Sequence, residues 1–243
     1  MDFLNALILL LNYIFVPALA YGSQLAIGAI FVTLIYGILR FANFATGDMM
    51  SFGTMVAILF TWYFQSLGLS LGFLPTALLA IPFAILFMGL YMLIIDKFVF
   101  KYYRLNKSPP VQLAMVSIGV MFVTQAVVRI IIGPSDRRFF DGEKFLIKAN
   151  EFKEMTGLNE GLAIKSTQVI TIVVTLILVS TLFWFLNKTK TGKSMRAYSD
   201  NEDLALLSGI DPKRIVMITW MIAAILATIG GVLYGLDLSL IHI

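Results

Sequence analysis

The chain contains no cysteine and a single histidine, His242, beside the last residue. Disulfides, thiol nucleophiles and thiolate metal sites are thereby excluded. Histidine-dependent acid–base or metal chemistry has almost no material to work with, and no cofactor or metal is expected. Charge is also scarce. Asp, Glu, Lys and Arg together make up 13% of the residues, about half the usual globular share of ~25%. Hydrophobic residues make up 59%, and mean hydropathy is +0.90. A water-soluble core of this size cannot absorb that much apolar surface, so the bilayer is the expected solvent. The net charge of +4 is modest, and the bases fall between apolar runs. They read as topology signals, not as a nucleic-acid patch.

Apolar runs recur at Phe3–Ala20, Tyr21–Leu39, Met49–Leu67, Leu71–Ile95, Val111–Ile132, Gln168–Leu186 and Ile215–Leu236. Each approaches bilayer length, which predicts an all-α, polytopic transmembrane helical bundle of about seven spans in a single membrane domain over 1–243. Met1-Asp-Phe-Leu-Asn lacks a basic n-region, so Phe3–Ala20 is read as a retained first span. Tyr21-Gly22-Ser23 leaves room for a tight hairpin between the first two runs. Pro75 and Pro82 are expected to kink the fourth run or mark its start.

Orientation follows from the bases. The 96–110 loop holds Lys97, Lys101, Arg104 and Lys107 against Asp96, and the 187–214 loop holds Lys188, Lys190, Lys193, Arg196, Lys213 and Arg214. Both read as cytoplasmic. The 133–167 loop balances its bases with Asp136, Asp141, Glu143, Glu151, Glu154 and Glu160, and reads as external. Counting back through seven spans places the N-terminus inside.

Two polar segments stand out. In 193–212, Ser199 and Glu202 have capping-box spacing, which predicts a short helix over Ser199–Leu207. Gly209 falls where a left-handed residue ends such a helix, and Asp211-Pro212 reads as N-cap and N1 of the next. The segment is either an ordinary well-capped loop or a helix presented to a partner. The second segment, Arg40-Phe-Ala-Asn-Phe-Ala-Thr-Gly-Asp48, separates two apolar runs without the charge of an ordinary loop. It is either an interfacial turn or a membrane-depth break lining a cavity.

Together the two segments resemble a known family. Tyr36-Gly-Ile-Leu-Arg-Phe-Ala-Asn-Phe-Ala-Thr-Gly-Asp-Met-Met-Ser-Phe-Gly53 is similar to the pathway signature of the branched-chain amino-acid ABC transporter permeases. The segment from Gly192 to Ile210 is similar to their coupling motif, and the run with Gly230-Gly231 to the small-residue helix that follows it. The resemblance implies a permease subunit, not an enzyme, of an importer in the bacterial or archaeal plasma (inner) membrane. An external binding protein would deliver leucine, isoleucine or valine. A second permease subunit, identical or different, would complete the pathway, and cytoplasmic ATPase subunits would supply the energy. The chain itself has no G-x-x-x-x-G-K-[ST] phosphate loop. By position, Asn43, Phe44, Thr46 and Gly47 fall in the pathway signature. Arg196, Ala197, Ala205 and Gly209 fall in the ATPase-coupling motif within 187–214. Leu204, Ala205 and Leu207 are expected as apolar anchors there, with Arg196, Glu202 and Asp203 as polar partners. Thr46 stands where the family often has His, and a hydroxyl does not titrate near neutrality.

Urea or amide importers have similar permeases and remain an alternative. An intramembrane aspartyl enzyme is a distant one, since Asp48 would need a facing carboxylate and Asp237 is the only other acid near a span interior. Residues 238–243, Leu-Ser-Leu-Ile-His-Ile, resemble a translated library adapter. The expectation is a C-terminally truncated fragment with an artificial tail, in which His242 carries no function.

Overall fold

The computed structural model describes residues 2–69, 71–72, 74–135, 137, 139, 145–157 and 160–238. The expectations for Asp136, Asp141, Glu143 and His242 fall outside these residues. The first helix, α1 (Asp2–Leu10), runs through a π-helical stretch (Leu11–Phe15) into α2 (Val16–Leu39). The two N-terminal runs are therefore one continuous helix, and no hairpin forms at Gly22-Ser23. Pro17, beside the start of α2, has no N–H to donate one turn back. The wider π turn just before it, where Val16 N donates to Leu11 O, accommodates that loss. The apolar stretch Phe3–Leu39 has 37 residues and extends about 55 Å, well beyond a hydrocarbon core of about 30 Å.

α3 (Thr46–Ser66) and α4 (Ala77–Ile95) follow. Pro75 precedes α4, while Pro82 sits inside it. α4 continues through a second π-helical stretch (Asp96–Phe100) into α5 (Lys101–Leu105), so most of the expected 96–110 loop is helical. α6 (Pro110–Ile132) returns across the bundle. The 133–165 segment carries a two-stranded antiparallel ribbon, β1 (Phe145–Ile147) with β2 (Ile164–Lys165), and a short helix α7 (Ala149–Thr156) between them. This ribbon is the one departure from an all-α chain among the described residues. α8 (Ser166–Lys188), α9 (Lys190–Asp200), α10 (Glu202–Leu207) and α11 (Pro212–Leu238) complete the order.

Among the described residues, five helices are long and apolar enough to cross a membrane: Phe3–Leu39, Ala77–Leu105, Pro110–Ile132, Ser166–Lys188 and Pro212–Asp237. The expected seven is therefore not reached. The tandem first runs merge into one helix. α3 carries Thr46, Asp48, Ser51, Thr54, Thr61 and Gln65, and so lies below the apolarity of the other five. It is sheltered instead, packed against α4, α6 and α11.

α11 is the centre of the bundle and packs on α2, α3 and α4. Beside large buried residues such as Trp220, Leu226 and Leu233, its buried face carries a run of small ones: Ala223, Ala224, Ala227, Thr228, Gly230 and Gly231. Without a hydrophobic gain between helices in lipid, close backbone approach is what such a face provides. A Cβ on Gly231 would lie 2.3 Å from Thr54 Oγ1 and 2.7 Å from the Met50 carbonyl oxygen. α2 and α8, by contrast, pack on each other along one side.

The merger of the first two runs reverses one expectation. α2 ends at Arg40, at the same end of the bundle as the 96–105 and 187–214 segments: Phe41 packs on Phe100 at 5.0 Å between ring centroids, and Arg40 contacts Asp200. The N-terminal end of the continuous helix lies at the opposite end, where Asn12 Oδ1 accepts from Ala163 N at 3.2 Å. The N-terminus thus shares a side with the 133–165 segment, not with the basic loops.

Candidate functional site

The 40–45 loop is built by its own side chains. Arg40 ends α2 in the left-handed region, at φ 57°, with its N–H bonded to the Tyr36 carbonyl at 3.0 Å. Asn43 is 7% exposed. Its Oδ1 accepts from Ala45 N at 3.1 Å, an Asx turn that feeds the chain into α3. Thr46 Oγ1 donates to the Asn43 carbonyl at 3.1 Å. From α6, Ser117 Oγ accepts from Phe44 N at 2.9 Å. The segment is an ordered, internally bonded break between two helices.

These bonds divide the four residues expected along the pathway. Asn43 is buried and its amide serves the loop itself. Thr46 is partly buried and its hydroxyl serves the same loop. Phe44 and Gly47 are exposed. A Cβ on Gly47 would meet no atom within 4 Å. The face presented outward is therefore Phe44, Gly47 and Ser51, spaced along one side of the start of α3.

The segment expected to couple to the ATPase is two helices, not one over Ser199–Leu207. Asn201 interrupts it in an extended conformation, φ −151° and ψ 110°. Its Oδ1 accepts from Leu204 N at 3.0 Å, so Asn201 is the N-cap of α10. Ser199 lies in the last turn of α9 and its hydroxyl donates to the Gly37 carbonyl instead of capping. Glu202 accepts from Tyr198 Oη at 2.8 Å. Burial and that carboxylate both push the Tyr198 phenol up, so it stays a protonated donor. The stop signals behave as the sequence indicates. Gly209 adopts φ 79°, and Ile210 N bonds back to the Ala205 carbonyl at 3.0 Å, closing a Schellman turn. Asp211 Oδ1 accepts from Lys213 N at 3.0 Å as the N-cap of α11.

Gly192 fixes how α9 leaves α8. A Cβ there would lie 2.2 Å from the Phe185 carbonyl oxygen and 2.6 Å from Leu186 Cα. Only glycine lets the two helices cross so closely. Thr189 caps α9 by accepting from Gly192 N at 3.0 Å. Met195 and Tyr198 then face inward, while Lys193, Arg196, Ala197 and Asp200 face outward. Arg196 donates to Asn187 Oδ1 at 2.9 Å.

On α10, Leu204 is 60% exposed and Leu207 85%, with Glu202 and Asp203 exposed beside them. Ala205 is 3% exposed. It is buried within the chain itself, which removes it from the expected anchors and makes it part of the segment's own packing. Leu206, at 45%, joins the outward set and was missed by motif matching.

Behind the segment lies a cavity of about 450 Å³, bounded by Lys97, Lys101, Arg104, Tyr198, Glu202 and Lys213 among others. Its wall includes a partly buried ion pair, Asp96 with Arg104, that the sequence did not signal. Arg104 grips Asp96 with both amino groups, at 2.7 and 2.9 Å. Trp220, fully buried, stacks on Phe100 at 5.5 Å, and Phe100 in turn packs on Phe41 of the break.

Comparison with known proteins identifies the family. Residues 14–243 match the family described as the branched-chain amino acid transport system permease component. The chain is 27% identical over 218 residues to the high-affinity branched-chain amino acid transport system permease protein LivH of Escherichia coli K12, covering 88% of this chain and 67% of that one. It is 25% identical over 229 residues to BraD of Pseudomonas aeruginosa, the protein of the same description, covering 93% and 71%. It is 26% identical over 223 residues to the probable LivH permease of Methanocaldococcus jannaschii, covering 88% and 63%. No solved structure matches at a significant level. With nearly its whole length matched, the chain belongs to the permease components of branched-chain amino acid transport systems and is a multi-pass membrane protein.

Proposed function

We propose that this chain is the membrane-spanning subunit of an ATP-driven importer of the plasma (inner) membrane that moves leucine, isoleucine and valine. An external binding protein delivers the solute, a second permease subunit completes the pathway, and cytoplasmic ATPase subunits dock on the α9–α10 segment. The relatives' description as branched-chain amino acid transport permeases supports the solute class. The observation that carries the docking reading is α10 itself. A well-capped six-residue helix projects Leu204, Leu206 and Leu207 away from the chain, outside any span. Large apolar side chains held on a rigid, polar-rimmed support form the core of a small interface.

The pathway reading rests on the outward face of the break. Phe44 and Gly47 are exposed at the basic end of the bundle, where a second subunit would face them. Among the described residues no catalytic constellation enters this scheme. Its contribution is mechanical: a packed bundle with two arrangements, biased by partners that bind one better than the other.

The test is reconstitution. The permease is co-expressed with its ATPases and partner permease, placed in proteoliposomes and supplied with the binding protein. ATP-dependent uptake of labelled leucine, suppressed by isoleucine and valine and unaffected by urea, is expected. Uptake of urea but not leucine would defeat the solute assignment.

A further inference from the structure

Arg40 occupies a position that its backbone would give to glycine. At φ 57° it is in the left-handed region, where a Cβ is disfavoured. Among the described residues, Arg40 and Lys107 are the non-glycine residues in that region. The side chain explains the choice. The Arg40 guanidinium donates to two successive carbonyls at the C-terminal end of α9, those of Ser199 and, at 2.9 Å, Asp200. A cation at a helix C-terminus meets the negative end of the dipole, and one amino nitrogen, Nη2, serves both orphan acceptors. From the same turn, the Ser199 hydroxyl returns a bond to the Gly37 carbonyl. Three bonds therefore join the last turn of α2 to the last turn of α9, across about 160 residues of chain.

The place of this tie is specific. Asp200 is immediately followed by Asn201, the single extended residue between α9 and α10. On the other side, Arg40 is followed at once by the loop that Asn43, Thr46 and Ser117 hold in shape. One side chain thus grips the joint of the coupling segment with its head and anchors the membrane break with its backbone.

We propose that Arg40 is a positioning residue for energy coupling: its guanidinium makes the end of α9 and the 40–45 break one mechanical unit, so that displacement of the α9–α10 segment is carried to the pathway. This rests on the importer reading above, and it names the link that reading leaves open.

The test uses the assembled transporter and three changes. Arg40→Gly keeps, and relaxes, the left-handed backbone while deleting the guanidinium, so a defect cannot be assigned to a broken turn. Arg40→Lys keeps the charge but can serve the carbonyls only as a point donor. Gly37→Cys with Ser199→Cys, bridged by a short bis-methanethiosulfonate reagent, supplies a reducible covalent tie in a chain without native cysteine, and the open space around a Cβ on Gly37, with no atom within 4 Å, leaves room for the bridge. In Arg40→Gly the ATPases are expected to co-purify and hydrolyse ATP, while solute taken up per ATP falls about tenfold, within the usual range of coupling energies. Arg40→Lys is expected to recover part of that loss. Bridging the cysteine pair in the Arg40→Gly background is expected to restore uptake per ATP, and reduction to abolish it again. Unchanged uptake per ATP in Arg40→Gly, loss of ATPase co-purification, or no recovery once the pair is bridged would each overturn the proposal. The isolated permease provides an independent arm. The cysteine pair should cross-link faster with Arg40 present than in Arg40→Gly, and equal rates would refute the tie. If the wild-type assembly takes up no solute while this rate difference stands, it is the importer reading that fails.

Discussion

The indole nitrogen of Trp220 donates to Asp96 Oδ1 at 2.7 Å, joining α11 to the end of the α4 helix across 124 residues of chain. The same carboxylate takes both amino groups of Arg104, and all three side chains lie at the basic end of the bundle. Asp96 therefore satisfies a guanidinium and a fully buried N–H together. Removing it leaves both without an acceptor, which costs more than the bonds themselves. Asp96→Ala is expected to destabilise the detergent-solubilised protein by about 3 kcal/mol. Trp220→Phe keeps the stack on Phe100 and loses one hydrogen bond, about 1 kcal/mol. Thermal unfolding checks both, and an unshifted transition in Asp96→Ala would remove the network from the list of structural supports.

The continuous helix over 2–39 makes a topology prediction. Single cysteines at positions 5 and 150 are expected to react with an impermeant reagent added to intact cells. Cysteines at 97 and 193 are expected to react only after lysis, because the basic loops face the cytoplasm. Opposite labelling of positions 5 and 150 would mean that the first helix breaks in the membrane.

Two glycines should behave oppositely. Gly231→Ala drives a Cβ into Thr54 and the Met50 carbonyl, so α11 and α3 must move apart. A loss of about 1–3 kcal/mol is expected for such overpacking. Gly47→Ala meets open space, and its stability is expected to match the wild type; any effect should appear in uptake alone. Paired unfolding and transport measurements distinguish the two.

The coupling segment offers a similar contrast. Leu207→Asp changes an almost fully exposed side chain and is expected to leave unfolding unchanged while ATPase co-purification is lost. Ala205→Arg forces a long cation into a buried site and is expected to unfold the segment, with its loss of ATPase binding a consequence. Normal ATPase recovery with Leu207→Asp would return α10 to the status of a capped turn.

Much of this protein was legible from residue order alone. The lack of charge and the long apolar runs determined a membrane bundle, because only a bilayer accepts that composition. Gly209 and Asp211-Pro212 determined where α10 stops and α11 starts, because a left-handed turn and a proline at N1 are local demands of the backbone. The two family motifs were likewise visible as strings. The rest was decided in three dimensions. Whether 3–39 is one helix or two was not written in its composition, since both halves are apolar and Gly22-Ser23 permits a turn without requiring one; packing and the π adjustment beside Pro17 decided it, and with it the side on which the N-terminus lies. Asn201 displaced Ser199 as the N-cap because Ser199 found a tertiary acceptor in Gly37, which no local spacing rule contains. Ala205 and Leu207 are equally apolar in sequence, yet one is interior and the other outward, because burial depends on what the rest of the chain brings to that face. The tie from Arg40 to the end of α9 depends on the same fact: a hydrogen bond between residues this far apart exists only once the helices between them have packed.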